Sequence, residues 1–224
     1  MSLRGVRRVY PGGVVALRHV DLDIQAGEMV SIVGPSGSGK STLLHLMGTL
    51  DRPSGGKVVI DGFDIDRLSD RELSALRAHR IGFVFQQFHL SPGVPAIDNV
   101  ADGLLYAGVG LRERRERAAR ALERVGLGHR LTHRPHQMSG GEQQRTAIAR
   151  AAVGEPALLL ADEPTGALDS QSGASLMRLL FDLNRTGGTT IVLITHERDI
   201  AAQTPRQVSI LDGQVVSDQI AVAS

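Results

Sequence analysis

A glycine-rich loop constrains this chain more than any other segment of its sequence. The loop spans residues 34–42, follows the apolar run Met29–Val33 and opens onto a leucine-rich helical pattern. The spacing G-x-x-x-x-G-K-[ST] between a strand and a helix is typical of a loop whose backbone N–H groups surround a phosphate group. The helix directs the positive end of its dipole toward the same point. The sequence therefore predicts that the protein binds a nucleoside triphosphate.

Each residue of this loop is a candidate contact of the nucleotide. Lys40 is expected to reach the β- and γ-phosphates, and the Ser41 hydroxyl is expected to hold Mg²⁺. A glycine-rich turn without a ligand is the alternative, but such a turn does not require a lysine and a serine at its end. Lysine is also rare here, because Lys40 and Lys57 are the only two in the chain. The predicted contacts are Gly34, Pro35, Ser36, Gly37, Ser38, Gly39, Lys40, Ser41 and Thr42.

Composition excludes several classes of protein. The chain has 224 residues and no cysteine, so disulfides, thiol catalysis and cysteine metal sites are ruled out. A net charge of +1 and an aromatic content of 3% argue against a nucleic-acid partner held by a basic field or by base stacking. No apolar run approaches the ~18 residues of a membrane span, and the first residues lack the apolar core of a signal peptide.

The alternation of strand and helix patterns predicts a largely parallel sheet covered on both faces. A helix is expected over residues 72–79, and another is expected to be capped by Ser170, with Leu176, Leu179, Leu180 and Leu183 on its apolar face. Strand patterns occupy residues 6–9, 14–17, 20–24, 58–60, 81–85, 157–161 and 189–194, and residues 208–216 read as a hairpin.

The segment 88–154 interrupts this alternation. It contains few strand signals, several Gly and Pro breaks, and a charged helical pattern over residues 112–125. The charges of that helix are interpreted as a solvated face with favourable i,i+4 ion pairs. The expected pairs are Glu113 with Arg117 and Glu116 with Arg120.

An apolar strand ends in two acidic residues in the second half of the chain. Asp162 and Glu163 follow the run Leu-Leu-Leu-Ala at positions 158–161. Because the carboxyl ends of parallel strands lie together at the ligand crevice, Asp162 is expected to face the Mg²⁺ held by Ser41. Glu163 is expected to deprotonate the attacking water. An acidic pair that only starts a helix is the alternative, and the phosphate loop makes it the weaker one.

The segment Ser-Gly-Gly-Glu-Gln-Gln-Arg at positions 139–145 is the most discriminating. A serine followed three residues later by a glutamate predicts a capping box, but a capping box does not explain two consecutive glycines. A serine hydroxyl and bare glycine amides at a helix N-terminus favour a second set of phosphate contacts. The candidate contacts are Ser139, Gly140, Gly141 and Glu142.

With these residues the chain resembles the ATP-binding cassette (ABC) ATPases over essentially its whole length. Tyr10 stands where that family places an aromatic ring against adenine, and Gln86 resembles the glutamine that reaches Mg²⁺ and the water. Asp169 resembles the aspartate of the D-loop, and His196 resembles the histidine that contacts the γ-phosphate. The segments 83–88 and 162–166 are most similar to the branch with lipoprotein-release and macrolide-export ATPases. Two positions depart from the family pattern, Met138 in place of leucine and Gly166 in place of serine.

The resemblance implies an α/β fold with a P-loop NTPase (RecA-like) core, a mainly parallel sheet, an antiparallel β subdomain and an α-helical subdomain. Residues 1–224 would form one ABC ATPase domain, with the core in 1–87 and 155–224 and the helical subdomain in 88–154. Its cofactors would be ATP and Mg²⁺, and its catalytic residues Glu163, His196, Gln86 and Lys40. The metal would be held by Ser41, Gln86 and Asp162.

The resemblance also implies partners. Residues 139–142 resemble the signature segment of the family. A second copy of the chain would supply this signature segment to the phosphate site, in a head-to-tail dimer around two ATP molecules. The dimer would drive a separate membrane permease from the cytoplasmic face of the plasma membrane, for export or for lipoprotein or peptide extrusion.

Other classes of ABC ATPase are alternatives to a transporter subunit. ABC ATPases of DNA repair and chromosome structure carry long coiled coils, and no heptad run lies between Lys40 and Ser139. The translation members carry two cassettes in one chain. An ABC ATPase that signals through a membrane partner, in cell division or cell-wall control, remains an open alternative because no motif separates signalling from transport.

Overall fold

The structure is a computed structural model that describes residues 1–220, in which ten strands form one mixed sheet. The strands are β1 (Ser2–Val9), β2 (Val15–Asp23), β3 (Met29–Val33), β4 (Gly55–Ile60), β5 (Phe63–Asp64), β6 (Ile81–Val84), β7 (Leu158–Asp162), β8 (Thr190–Thr195), β9 (Arg206–Leu211) and β10 (Gln214–Ile220). The order across the sheet is β5-β4-β1-β2-β10-β9-β3-β8-β7-β6. Residues 221–224, the end of the predicted core segment, lie outside the described residues.

The sheet has a parallel half and an antiparallel half. Strands β9, β3, β8, β7 and β6 pair in parallel, whereas β5, β4, β1 and β2 form an antiparallel ribbon and β10 returns against β9. The predicted fold class, a mainly parallel core with an antiparallel part, is confirmed. The expectation of two strands at 14–17 and 20–24 is wrong, because β2 runs through both segments and pairs with β1 along its length.

Helices cover the parallel half. They are α1 (Lys40–Met47), α2 (Asp70–Arg80), α3 (Ala96–Ala101), α4 (Leu111–Arg124), α5 (Gly140–Ala152), α6 (Ser170–Gly187) and α7 (Arg198–Ala201). The central strands β3, β7 and β8 are almost entirely buried, as expected for parallel strands with helices on both faces. None of the helices between residues 1 and 220 is both long and apolar enough to cross a bilayer.

Helices α3, α4 and α5 share an apolar cluster of their own. Val100, Leu104, Ala118 and Leu122 are almost completely buried in it, and Met138 packs against the same group. On the outer face of α4, the predicted pair of Glu113 with Arg117 is formed. The predicted pair of Glu116 with Arg120 is wrong, because Glu116 pairs with Arg112 at 3.0 Å. Both arginines lie one helical turn from Glu116, so spacing alone does not distinguish them.

The order of the parallel strands positions the candidate residues. Strands β3, β8, β7 and β6 are neighbours and run in the same direction, so their carboxyl ends meet at one edge. The glycine loop follows β3, Glu163 follows β7 and His196 follows β8. Residues from distant parts of the chain therefore converge there.

Candidate phosphate-binding site

A cleft of about 780 Å³ opens at the carboxyl edge of the parallel strands. It brings together most of the glycine loop, Gln86, Asp162, Glu163 and His196. The loop residues along its wall are Pro35, Ser36, Gly37, Gly39, Lys40, Ser41 and Thr42. Tyr10, Asp169 and the segment 139–142 do not line this cleft, so the structure divides the predicted site residues into two groups.

The shape of the loop depends on two glycines. Gly39 has φ 103°, a left-handed conformation that favours glycine, and a Cβ there would lie 2.6 Å from the carbonyl oxygen of Ala16. Gly34 has an ordinary φ, but a Cβ on it would overlap the carbonyl oxygen of Ile210 and Oγ of Ser38. Side chains at either position would deform the loop, and α1 begins directly after Gly39.

Lys40 carries a buried positive charge at the start of α1. Its Nζ donates hydrogen bonds to the carbonyl oxygens of Gly34 and Pro35, each at 2.8 Å, so the loop closes around the ammonium group. Ser38 Oγ, in the same loop, is buried and has no hydrogen-bond partner among the described residues. A buried hydroxyl of this kind costs free energy unless a ligand or a solvent molecule pairs with it. These features fit an anion held by the loop.

The two acidic residues after β7 differ in their surroundings. Burial raises the pKa of the Asp162 carboxyl, and the neighbouring charge of Glu163 adds to the effect. Glu163 adopts φ 47°, which is uncommon for a residue with a side chain. Its N–H donates to the carbonyl of Ile194 at 2.9 Å, which anchors this conformation to the end of β8. The turn directs the Glu163 side chain toward the cleft.

Glu163 uses only one of its carboxylate oxygens within the part of the chain that the structure describes. Oε1 lies 2.7 Å from Nδ1 of His196, while Oε2 is buried without a hydrogen-bond partner. This hydrogen bond raises the pKa of the His196 imidazole. The carboxylate of Glu163 therefore keeps one oxygen free of hydrogen bonds to the described residues.

Three side chains of the cleft could hold a divalent cation. Ser41 offers a hydroxyl oxygen, Asp162 a carboxylate and Gln86 an amide oxygen, and all three line the same cavity. Hard oxygen ligands in small number suit Mg²⁺, which also retains water and phosphate ligands. The donor set therefore fits the cation that the sequence predicts.

Gly166 gives space to Gln86. A Cβ at position 166 would lie 2.9 Å from Nε2 of Gln86, so a side chain there would displace the glutamine amide. The departure from the family pattern at this position thus has a local consequence for the orientation of Gln86.

The signature segment starts α5 as the predicted capping box. The N–H of Glu142 donates to Ser139 Oγ at 3.2 Å, and the N–H of Ser139 donates to Glu142 Oε2 at 2.8 Å. The bond from Ser139 holds the pKa of the Glu142 carboxyl below its usual range, aided by Arg130, whose Nε lies 3.0 Å from Oε1. The capping prediction is confirmed.

Asp169, rather than Ser170, caps α6. Its carboxylate accepts hydrogen bonds from the N–H of Ser172 at 2.9 Å and from the Ser172 hydroxyl at 2.8 Å. Ser170 is the first residue of the helix, so its predicted capping role is wrong. The carboxylate of Asp169 reaches the N–H three residues on, which is the donor that an N-cap side chain satisfies.

Tyr10 stands at the edge of the glycine-loop helix. Its hydroxyl is 3.5 Å from Oγ1 of Thr42, and the guanidinium of Arg8 lies 4.7 Å from the centre of its ring. Tyr10 is half-buried, with the Arg8 guanidinium over its ring.

Sequence reasoning missed Gln144, a buried amide on α5 that contacts both loops next to Gln86 and Glu163. One feature of the sequence indicates such a residue: Gln144 lies on the same face of α5 as Ala147 and Ile148, which are both buried. A polar residue among buried apolar neighbours requires hydrogen-bond partners.

The fold and the cleft define a nucleotide-binding domain of the P-loop class. Residues 17–166 match the family model described as ABC transporter. The chain is 52% identical to YknY, an ABC transporter ATP-binding protein of Bacillus subtilis, over 96% of this chain and 95% of that protein. The chain belongs to the ABC transporter family, and it is an ABC ATPase.

Two further relatives extend this comparison. The macrolide export ATP-binding/permease protein MacB of Nitrosomonas europaea is 51% identical over 98% of this chain, which spans about a third (34%) of MacB. Among solved structures, the dimeric post-hydrolysis state of the ATP-binding cassette MJ0796, bound to ADP and Pi, has a TM-score of 0.90. The identity is 43%, and the match covers 100% of this chain and 99% of that one.

Proposed function

We propose that this chain hydrolyses ATP with Mg²⁺ as the nucleotide-binding subunit of an ABC exporter and energises a separate membrane permease. The observation that carries the proposal is the convergence of Lys40, Ser41, Asp162, Glu163 and His196 on one cleft. The relatives support the direction of transport, because MacB is named for export and combines an ATP-binding part with a permease in one longer chain.

Each residue of the cleft has a role in this reaction. Lys40 exchanges its hydrogen bonds to the carbonyls of Gly34 and Pro35 for hydrogen bonds to the β- and γ-phosphates. Ser41, Gln86 and Asp162 hold Mg²⁺, which when bound neutralises negative charge on the phosphates. The N–H groups of the loop and the dipole of α1 stabilise the same charge.

Glu163 is the general base. Its carboxylate takes a proton from the attacking water, whose oxygen forms the new bond to the γ-phosphorus while the bond to the ADP oxygen breaks. His196 holds Oε1 at 2.7 Å, so the carboxylate cannot rotate away from the cleft. The products are ADP and inorganic phosphate, and the proton leaves through Glu163.

A second copy of the chain completes the site. Ser139 and the two following glycines do not line the cleft of their own chain, and they start α5 with N–H groups suited to an anion. In a head-to-tail dimer they cover the γ-phosphate from the side opposite Lys40, Asp169 lies near the same interface, and Tyr10 stacks against adenine. The dimeric structure of MJ0796 supports a dimer for a cassette of the same fold.

The permease docks on the groove between β6 and α5. This groove holds about 380 Å³ and is lined in part by Phe83, Phe85, His89 and Gly103. The guanidinium of Arg150 ties the carbonyls of Phe88 and His89 to α5, at 2.9 and 2.6 Å. A partner bound to residues 86–93 would thus move the segment that carries Gln86. The chain would then act at the cytoplasmic face of the membrane.

Substitution of the base tests the catalytic assignment. Glu163→Gln is expected to abolish turnover while trapping an ATP-bound dimer, measured by phosphate release and by size-exclusion chromatography with ATP. Glu155→Gln is the matched control, because Glu155 also has a left-handed φ, 51°, but precedes β7 at the opposite edge of the sheet. Full activity of Glu163→Gln would refute the assignment.

The docking groove is testable by cross-linking, since the chain has no cysteine of its own. A cysteine at His89, which is exposed in the groove, is expected to cross-link to an integral membrane protein in native membranes, whereas Arg185→Cys on α6 is not. Equal cross-linking at both positions would contradict docking of the permease at this groove. An assay of substrate movement in vesicles that contain this chain and the captured partner distinguishes transport from signalling, because only a transporter moves substrate across the membrane.

A further inference from the structure

Gln144 connects the two loops that carry Gln86 and Glu163. It lies on α5, the helix that the signature segment starts, and its side chain has no exposed surface. The amide nitrogen Nε2 donates to the carbonyl oxygen of Phe85 at 3.2 Å and to that of Pro164 at 2.7 Å. Phe85 directly precedes Gln86, and Pro164 directly follows Glu163. One nitrogen thus joins the neighbours of two site residues.

The chemistry of an amide suits this position. A primary amide nitrogen carries two hydrogens, one for each carbonyl, and a carbonyl can only accept. The orientation of the Gln144 amide is therefore determined, because the reversed amide would place its oxygen against two other oxygens. A leucine or methionine would fill the same space without either bond.

The placement of Gln144 has a cost that packing alone does not explain. Oε1 of Gln144 is buried and has no hydrogen-bond partner among residues 1–220. A buried acceptor without a partner is unfavourable, and the neighbouring buried positions Ala147 and Ile148 on α5 are apolar. The two hydrogen bonds donated by Nε2 offset this cost.

Glu163 needs external support for its conformation. Its φ of 47° is strained for a residue with a side chain, and such conformations persist only where the surroundings over-determine them. The N–H of Glu163 donates to the carbonyl of Ile194, and the amide of Gln144 donates to the next carbonyl along the chain, that of Pro164. Glu163 is therefore fixed on both sides.

We propose that Gln144 is a positioning residue for hydrolysis, which sets the placement of Gln86 relative to Glu163 by holding the carbonyls of Phe85 and Pro164 together. The inference rests on the proposed roles of Gln86 and Glu163. Gln144 lies on α5, the helix that begins with the signature segment. It therefore links the segment that contacts the partner copy with the catalytic residues of its own chain.

Gln144→Met tests this role, since methionine has a similar length and no donor. The turnover rate is expected to fall roughly tenfold or more, while the dissociation constant of the nucleotide stays within about twofold of that of the parent. The hydrogen bonds of Lys40 go to Gly34 and Pro35, whereas those of Gln144 go to Phe85 and Pro164, so the loss of the Gln144 amide leaves the hydrogen bonds of Lys40 in place. A fall in nucleotide affinity that parallels the fall in turnover would indicate a general structural role and overturn the proposal.

Asn184→Leu is the matched control. The Asn184 amide also spans two backbone carbonyls, those of Gly27 and Thr189 at 2.8 Å each, but it lies at the amino ends of β3 and β8, away from the cleft. Its turnover rate is expected to stay within about twofold of that of the parent. An equal loss of turnover in Asn184→Leu would overturn the proposal.

Two further variants keep the outcome decisive. If Gln144→Met does not fold, Gln144→Asn, which keeps the amide but shortens its reach, is expected to give the same separation of turnover from affinity. Failure of both to fold would count against a positioning role. Glu163→Gln separates the two hypotheses. If Glu163→Gln is inactive while Gln144→Met is fully active, only the proposed role of Gln144 is refuted. If Glu163→Gln is fully active, the proposed role of Glu163 as the base is refuted.

Discussion

Nδ1 of His196 lies 2.7 Å from Oε1 of Glu163, although 33 positions separate the two residues in the chain. The contact exists because β7 and β8 are parallel neighbours, so the residue after each strand faces the other across one edge of the sheet. His196 is 64% exposed and Glu163 16%, so the histidine covers the acid from the solvent side. The pair therefore limits both the rotation and the solvation of the proposed base.

The ionisation of His196 should report on this contact. Glu163 raises the pKa of the imidazole through a hydrogen bond and its charge, so Glu163→Gln is expected to lower the His196 pKa in an NMR titration. The His196→Gln spectrum assigns the resonance among the eight histidines. Because the pKa of His196 is higher in the folded state than in the unfolded state, the pair with Glu163 stabilises the fold at pH values below the unfolded-state pKa. This stabilisation is lost as the pH rises through the folded-state pKa. An unchanged titration in Glu163→Gln would contradict the contact, and Glu155→Gln is the control.

Removal of the Lys40 ammonium should weaken nucleotide binding itself. A charge-assisted hydrogen bond contributes about 1.5–3 kcal/mol, so Lys40→Ala is expected to raise the ATP dissociation constant roughly ten- to a hundredfold. Lys57→Ala is the control, because the only other lysine pairs with Asp64 at 3.1 Å on the antiparallel ribbon. Isothermal titration calorimetry measures both, and equal affinities for the two variants would refute the role of Lys40.

Ser139→Ala should separate helix capping from phosphate binding. Loss of the cap is expected to lower the free energy of unfolding by about 1 kcal/mol. Ser69→Ala removes the same kind of capping box from α2, where Ser69 pairs with Glu72, and should lower stability to a similar extent. Only Ser139→Ala is expected to reduce ATP hydrolysis and ATP-dependent dimerisation. A similar ATPase rate in the two variants, corrected for folded protein, would argue against a signature contact with nucleotide.

A methyl group at Gly39 should deform the phosphate loop. With φ at 103° and the Ala16 carbonyl 2.6 Å from the position of a Cβ, Gly39→Ala is expected to destabilise the fold by about 1–3 kcal/mol and to weaken nucleotide binding. Gly55→Ala on β4 meets no atom within 4 Å and should leave both quantities nearly unchanged. Chemical denaturation and a nucleotide-binding assay measure the two effects. A Gly39→Ala variant as stable as Gly55→Ala would contradict the described loop geometry.

The sequence predicted the features that depend on short-range pattern. The glycine loop, the alternation of strands and helices and the capping box at Ser139 each follow from residues within a few positions of one another. The placement of Asp162 beside the glycine loop followed from one general rule, that the carboxyl ends of parallel strands lie together. The role of His196 followed from the resemblance to the ABC ATPases. None of these predictions required knowledge of specific contacts between side chains that are distant in the sequence.

Features set by three-dimensional neighbours were not predictable in the same way. Ser170 and Asp169 are both good capping residues, and only the path of the chain before α6 decides between them. The left-handed φ of Glu163 depends on the Ile194 carbonyl from the next strand. The partners of Gln144 come from positions 59 and 20 residues away in the chain. No local spacing rule contains such contacts.

The sheet order has a consequence for biosynthesis. Strand β8 lies between β3 and β7, but it is the last of the three to leave the ribosome. The two earlier strands must remain apart until residues 190–195 are inserted between them, and such non-local pairing is slow to form. A nascent chain that ends before Thr190 therefore lacks the middle strand of its sheet and cannot form the cleft. Newly made protein would be unable to capture or consume cellular ATP until β8 has been made and inserted into the sheet.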